Sequence, residues 1–186
     1  MCNLNSVDFC LDSGVHFRTL IQGGLTCVDF LTTTYVPGTY EFDVVSLTLG
    51  NMGLVKFRVT NSGVLDAEAT LKLYEEAAWL NMEITENTSS TGAIQFAMWD
   101  LFDQSASSNL SQSEQNDVES WLAQASNNYM GYDYSQAEIY IPDPNQTNPP
   151  QEFITGDPSP VPEPVTMVLF GTGLICLAGL VRRKQA

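Results

Sequence analysis

A cysteine and a glutamine stand out in this sequence because each is set among apolar residues. Cys27 lies in a predicted strand, and an acid and an aromatic residue follow it. Gln95 lies near the start of a predicted apolar helix, on the same side as Trp99 and Phe102 at i+4 and i+7. A thiolate is a strong nucleophile, and a buried amide must find hydrogen-bond partners. Cys27 and Gln95 are therefore the candidates for chemistry in the folded part of the chain.

A plainer interpretation of the same two residues stays open. Cysteine often behaves as a small buried hydrophobic residue, so Cys27 need not react. Gln95 could simply cap the end of a strand or helix. The residues alone do not choose between these interpretations.

The acidic residues offer an enzyme-like alternative that the spacing does not favour. Glu75 and Glu76 are adjacent, so on a helix they point about 100° apart. Asp100 and Asp103 share a helix face and could bind a hard cation. Neither pair comes with a Gly-rich loop or a histidine, and the single histidine, His16, supports no nucleophilic set. A solvated helix face explains these acids better, and we predict no catalytic residues and no enzyme.

Composition excludes several other classes. The four cysteines, Cys2, Cys10, Cys27 and Cys176, form no CxxC pair, and no calcium-loop motif is present, so we predict no metal and no cofactor. The chain has 22 acidic residues against 7 basic ones, a net charge of -15. A body this acidic cannot coat phosphates, so we predict no nucleic-acid partner.

The elements that must position Cys27 and Gln95 are predicted from periodicity. Strands are expected at residues 25–31, 42–49 (with a bulge near 44–45) and 55–59, where apolar and polar residues alternate. Helices are expected through residues 71–79, after Thr91 as an N-cap, and after Ser111, whose spacing to Glu114 is that of a capping box. A last strand is expected at 138–141. Strands, then helices, then a strand predict an α+β fold, with N-terminal strands packed against two or three helices.

The chain divides into four predicted parts. Residues 1–24 are an uncertain N-terminal segment, and residues 25–141 form the globular domain. Residues 142–164 hold eight of the nine prolines and are predicted to be a linker. Residues 161–186 form a separate tail.

The tail has the features of a membrane anchor. Residues 165–181 are seventeen positions without a charge, which is at the short end of what can cross a bilayer. We predict a transmembrane helix there. Arg182, Arg183 and Lys184 follow and would hold the C-terminus on the cytoplasmic side.

The order of parts in the tail resembles the PEP-CTERM sorting signal of Gram-negative bacteria, also known as an ice-binding-protein C-terminal domain without implying ice binding. The resemblance rests on Pro162, Glu163 and Pro164, the apolar stretch after them, and the basic end. It implies export, inner-membrane anchoring, and an exosortase that recognises the Pro-Glu-Pro stretch and removes the tail. The protein would then reach the cell surface or the extracellular matrix.

Proteins with such a tail carry a secretory signal, and residues 1–24 do not provide one. Their only cation is Arg18, and they contain no apolar run of useful length. We therefore expect the true start to lie upstream, or the chain to be a fragment.

The body resembles the Cys–Gln thioester domains of bacterial surface adhesins. The match rests on Cys27 with the residues after it and on Gln95 with Ala97 and Trp99. The same segments, with others across residues 25–155, also resemble a group of PEP-CTERM proteins. The resemblance to thioester domains implies that the Cys27 thiolate attacks the Gln95 carboxamide and releases ammonia. The resulting thioester would attach covalently to an amine on a surface. The Cys27 sulfur should then lie about 3.5 Å from the Gln95 carboxamide.

Three functions follow from the sequence, in descending order. The first is a non-enzymatic, anchored surface protein that adheres through the Cys27–Gln95 thioester to an amine-bearing ligand. The second is a structural or exopolysaccharide-associated module of the same architecture without a thioester. The third is a small hydrolase that uses the paired acids.

Overall fold

The computed structural model describes residues 25–34, 40–61, 63–156 and 158–160. Strands come first, three helices occupy the middle of the chain, and strands return at the end. The predicted α+β class is confirmed.

Three helices form one layer of the fold. Helix α1 spans Ala67–Glu86, α2 spans Thr91–Asp100 and α3 spans Gln112–Asn128. Short 3-10 turns lie at Leu49–Asn51, Thr88–Ser90 and Tyr129–Gly131. Each of the three helices packs against the other two.

Local sequence sets where two of these helices begin. Asp66 caps α1, because its carboxylate accepts a hydrogen bond from the Ala69 N–H at 3.0 Å. At the start of α3, Ser111 and Glu114 form the predicted capping box. The predicted cap at Thr91 is wrong. Thr91 is the first residue of α2, and its hydroxyl lies 3.1 Å from the Thr88 carbonyl of the preceding turn.

Four strands form the main sheet, in the order β1-β7-β6-β2, with every neighbouring pair antiparallel. These strands are β1 (Thr26–Cys27), β2 (Phe42–Ser46), β6 (Glu138–Pro142) and β7 (Phe153–Thr155). Two small ribbons complete the strands: β3 (Thr60–Asn61) with β4 (Val64–Leu65), and β5 (Tyr132–Asp133) with β8 (Ser159–Pro160).

The two faces of the sheet are covered differently. Ile139 and Ile154 face the main core, which they share with the helices. Their neighbours Tyr140 and Phe153 face the other way and form a second cluster with Cys27. This alternation follows from the two-residue period of a strand. Cys27 is thus placed outside the main core but still fully buried.

Three strand predictions need correction. Residues 55–57 form a bend and not a strand. Val55 is buried in the core, and Lys56 forms an ion pair with Asp29. Strand β2 pairs with β6 in unbroken register from Phe42 to Ser46, so the bulge predicted near residues 44–45 is absent. The strand predicted at 25–31 is shorter, because Asp29 caps a turn after Cys27 through bonds from Leu31 N and Thr32 N.

The proline-rich stretch predicted as a linker from 142 to 164 belongs in part to the fold. Residues Phe153–Thr155 form β7, an inner strand of the sheet. Proline is excluded from most sheet positions, but none of these three residues is proline. Pro144, Pro149, Pro150 and Pro158 lie in the connections, and Pro142 and Pro160 are the last residues of β6 and β8. The proline content of the whole stretch therefore gave no sign of the short strand between them.

Candidate functional site

Cys27 lies on the outer edge of the sheet. Strand β1 ends the sheet order, and Val28 N–H donates to the Glu152 carbonyl at 3.0 Å. In an antiparallel pair, bonded and non-bonded positions alternate. Cys27, opposite Phe153, is therefore a non-bonded position, and its backbone carbonyl points away from the sheet.

Helix α2 supplies the partners for that carbonyl. Gln95 Nε2 donates to the Cys27 carbonyl oxygen at 2.8 Å, and Trp99 Nε1 donates to the same atom at 3.1 Å. The two donors are four residues apart, so they lie on one face of the helix. The structure thus joins the two residues that the sequence singled out through the backbone carbonyl of Cys27, and the approach of the Cys27 sulfur to the Gln95 carboxamide stays a prediction.

The other end of the Gln95 amide is left without a partner. Gln95 is 8% exposed, and its Oε1 is one of three buried side-chain polar atoms without a hydrogen-bond partner among the described residues. Because the Cys27 carbonyl accepts only, the amide nitrogen must face it, and this fixes the amide orientation. A buried unsatisfied oxygen costs about 1–3 kcal/mol, so this arrangement is unfavourable for a merely structural amide.

Aromatic rings enclose the contact between β1 and α2. Trp99 lies 5.3 Å from Phe30 and 5.1 Å from Phe96, measured between ring centroids. On the sheet side, Phe42 packs edge-on against Phe153 at 5.9 Å. Phe42, Phe153 and Trp99 belong to the apolar cluster that contains the buried Cys27, and such a cluster excludes water.

A charged network lies on the other side of the same chain segment. Asp29 is fully buried and forms an ion pair with Lys56, whose side chain is 39% exposed. The Asp29 carbonyl accepts a hydrogen bond from Gln151 Nε2. Together with the bond from Val28 to Glu152, these contacts hold residues 27–29 in place on both sides.

Glu152 is the most perturbed acid of this network. It is fully buried, its carboxylate accepts from Lys56 N–H at 2.8 Å, and Tyr74 Oη donates to it. Burial raises the pKa of Glu152 to about 7, against the opposing effects of the Tyr74 hydrogen bond and Lys56. Burial and the nearby Glu152 charge also raise the pKa of Tyr74. The role of Glu152 was not predicted from the sequence. Its position directly before the apolar residues Phe153 and Ile154 could have indicated that it is buried.

The paired acids of the hydrolase interpretation serve local structure. Asp100 accepts bonds from the N–H and hydroxyl of Ser107, and Asp103 accepts the equivalent pair from Ser105. Bonds from Ser105 lower the pKa of Asp103. Within the described ranges, no group of three or more His, Cys, Asp and Glu side chains is placed to hold a metal ion.

Burial is the largest perturbation of the other two acids. It raises the pKa of both Glu75 and Glu76, and the neighbouring charge of Glu76 also raises the pKa of Glu75. Lys72 Nζ lies 3.6 Å from Glu76 Oε1, at i,i+4 on helix α1.

The predicted anchor and sorting residues fall outside the described part of the chain. They are the helix predicted at 165–181 and the residues Pro162, Glu163, Pro164, Arg182, Arg183 and Lys184. Among the helices that the structure does describe, none has the length and apolar character needed to cross a bilayer.

Comparison with known proteins bears on the tail. No curated protein and no solved structure is significantly similar to the chain. Residues 160–184 match the PEP-CTERM protein-sorting motif, which covers all six sorting residues predicted from the sequence. The chain therefore carries a PEP-CTERM signal, which implies export, membrane anchoring through its C-terminal region and processing by an exosortase.

Proposed function

We propose that this exported protein adheres covalently to amine-bearing surfaces through a thioester between Cys27 and Gln95, without enzymatic turnover. The observation that carries the proposal is the buried Gln95 amide, held on Cys27 by one hydrogen bond while its Oε1 has no partner among the described residues. The anchored tail would place this body at the cell surface.

The chemistry balances without a cofactor. The Cys27 thiol loses its proton and its Sγ attacks Cδ of Gln95, so that an S–C bond forms and the C–N bond to Nε2 breaks. The proton and the amide nitrogen leave as ammonia. A primary amine then attacks the same carbon, forms an amide with Gln95 and returns the thiol to Cys27. Each molecule reacts once.

The surroundings suit a bond that water must not reach. Cys27 is fully buried in an apolar cluster with Tyr140 and Phe153, and Phe42 and Trp99 pack against this cluster. A thioester oxygen is a weaker hydrogen-bond acceptor than an amide oxygen. The unpartnered Oε1 is therefore less costly after the reaction than before it.

A second candidate function keeps the same contacts without the reaction. Strand β1 is an edge, and donation from Gln95 and Trp99 satisfies its outward carbonyl. In this case the body is a structural or exopolysaccharide-associated module. The hydrolase has no comparable support, because Asp100 and Asp103 are engaged by neighbouring serines.

Labelling with methylamine separates the two candidates. We expect one methylamine to add to the intact chain, and peptide mapping to place it on Gln95. The Cys27→Ala and Gln95→Ala variants should not be labelled. Gln151→Ala is the matched control, because Gln151 also donates its amide to a carbonyl of this segment, that of Asp29. If the wild-type chain takes up no methylamine, the structural module is the correct function.

A further inference from the structure

A cleft with apolar walls lies away from Cys27, beside the bend at residues 54–58. It encloses about 370 Å³. Leu54, Val55 and Ile141 line it, together with four prolines: Pro142 at the end of β6, and Pro144, Pro149 and Pro150 in the connection between β6 and β7. Proline has a fixed φ and little freedom to lose, so this wall is already ordered before a ligand binds.

The cleft collects positive charge in a strongly acidic protein. The described residues include three basic side chains, and two of them, Lys56 and Arg58, line this cleft. The third, Lys72, lies on α1 beside Glu76. Two other clefts are lined by acids and by no basic residue: one contains Glu75 and Asp133, and the other Asp66 and Glu68.

The two cations are not equivalent. Lys56 already pairs with the buried Asp29, so much of its charge is neutralised inside the protein. Arg58 is exposed, and its Nη1 donates to the Gly53 carbonyl at 3.1 Å. A guanidinium has five N–H donors in a fork that matches a carboxylate. Arg58 is therefore the group that would meet an anion.

The walls define the rest of the ligand. Leu54 is 59% exposed at the cleft, so its side chain is available to an apolar group that enters beside the prolines. A long polyanion would be repelled by the net charge of -15. A ligand with one carboxylate and a short apolar chain meets both conditions. We propose that this cleft binds aliphatic monocarboxylates, with Arg58 holding the carboxylate and Leu54 and the prolines contacting the chain.

Titration with pentanoate tests the proposal. We would follow backbone amide shifts of the isotope-labelled full-length chain in detergent micelles. Saturable shifts are expected at residues 54–58 and 141–150, with a Kd on the order of 1 mM for so small a ligand. Arg58→Gln should weaken binding about tenfold, because it removes a charge-assisted contact. Leu54→Ser should also weaken it.

Two controls make the result decisive. Lys72→Gln removes the same charge outside the cleft and should leave the Kd unchanged, which accounts for any general effect of net charge or micelles. Pentanol has the same apolar chain without the carboxylate and should bind at least about tenfold more weakly. Equal binding of pentanoate and pentanol, or an unchanged Kd in Arg58→Gln, would overturn the proposal. So would the absence of saturable shifts.

Discussion

Two buried polar groups flank the same short segment of chain, and they are built differently. On one side, the Cys27 carbonyl accepts from Gln95 and Trp99 in an uncharged, aromatic setting, and the Gln95 amide oxygen has no hydrogen-bond partner within the part of the chain that the structure describes. On the other side, the Asp29 carboxylate accepts from two backbone N–H groups and from Lys56. The Glu152 carboxylate accepts from the Lys56 N–H and the Tyr74 hydroxyl. The satisfied network suits a structural role, whereas the unsatisfied amide suits a reactive one.

The comparison predicts that the two sides respond differently to substitution. Substitutions in the Asp29 network should lower the free energy of unfolding. They should lower reactivity only when the protein no longer folds. Changes at Gln95 or Trp99 should alter reactivity at small cost in stability.

Asp29→Ala should destabilise the protein most, by about 3 kcal/mol. The substitution leaves Leu31 N–H, Thr32 N–H and the Lys56 ammonium without their buried acceptor. Lys56 can turn to solvent, which limits the loss. Urea unfolding measures the effect. Asp29→Asn keeps an oxygen acceptor for the backbone and should cost about half as much; equal losses in the two variants would show that the charge, and not the turn, dominates.

Glu152 should make stability fall as pH rises. Its pKa in the folded protein is raised to about 7 from a usual value of 4.5, so the folded state holds its proton more tightly than the unfolded chain. The acid therefore imposes no penalty below pH 4.5, a growing penalty up to about pH 7, and a constant one above. The pKa difference corresponds to about 3 kcal/mol.

Glu152→Gln isolates this contribution, because glutamine resembles the protonated acid in shape and charge. The free energy of unfolding is measured with urea at pH 4.5 and at pH 7.5. The decrease between these two pH values should be about 3 kcal/mol smaller in the variant than in the wild type. Other acids titrate in both proteins and cancel in the difference. Parallel pH profiles would contradict the assigned role of Glu152.

Trp99→Phe should have the smallest effect on stability, about 1 kcal/mol, because it removes one hydrogen bond and keeps most of the ring. It leaves the Cys27 carbonyl with Gln95 as its remaining side-chain donor. We expect a lower fraction of methylamine-labelled chain, since Gln95 would then be held less firmly against β1. A labelled fraction equal to that of the wild type would mean that Trp99 serves the edge strand alone.

The sequence predicted the parts that depend on near neighbours. The helices and the Ser111–Glu114 capping box follow from spacings of three and four residues. Two short motifs identified Cys27, Gln95 and Trp99 as residues of interest, but the bonds from Gln95 and Trp99 to the Cys27 backbone carbonyl were not predicted. The sorting signal was also readable, because its residues are contiguous.

The parts that depend on distant partners were not predictable. Alternation at residues 55–59 has the period of a strand, but Lys56 turns to Asp29 and Val55 enters the core, so the segment bends. Strand β7 was not predicted, because it lies in a proline-rich stretch and is defined by its pairing with β1 and β6. Periodicity carries no information on such pairings.

The intact mass of the purified full-length chain tests directly whether a thioester joins Cys27 and Gln95. The thioester removes one ammonia, so the wild-type mass should be about 17 Da below that of its sequence. The masses of Cys27→Ala and Gln95→Ala should equal their sequences. A wild-type mass that equals its sequence would contradict the account and leave Gln95 as a cap for the edge strand.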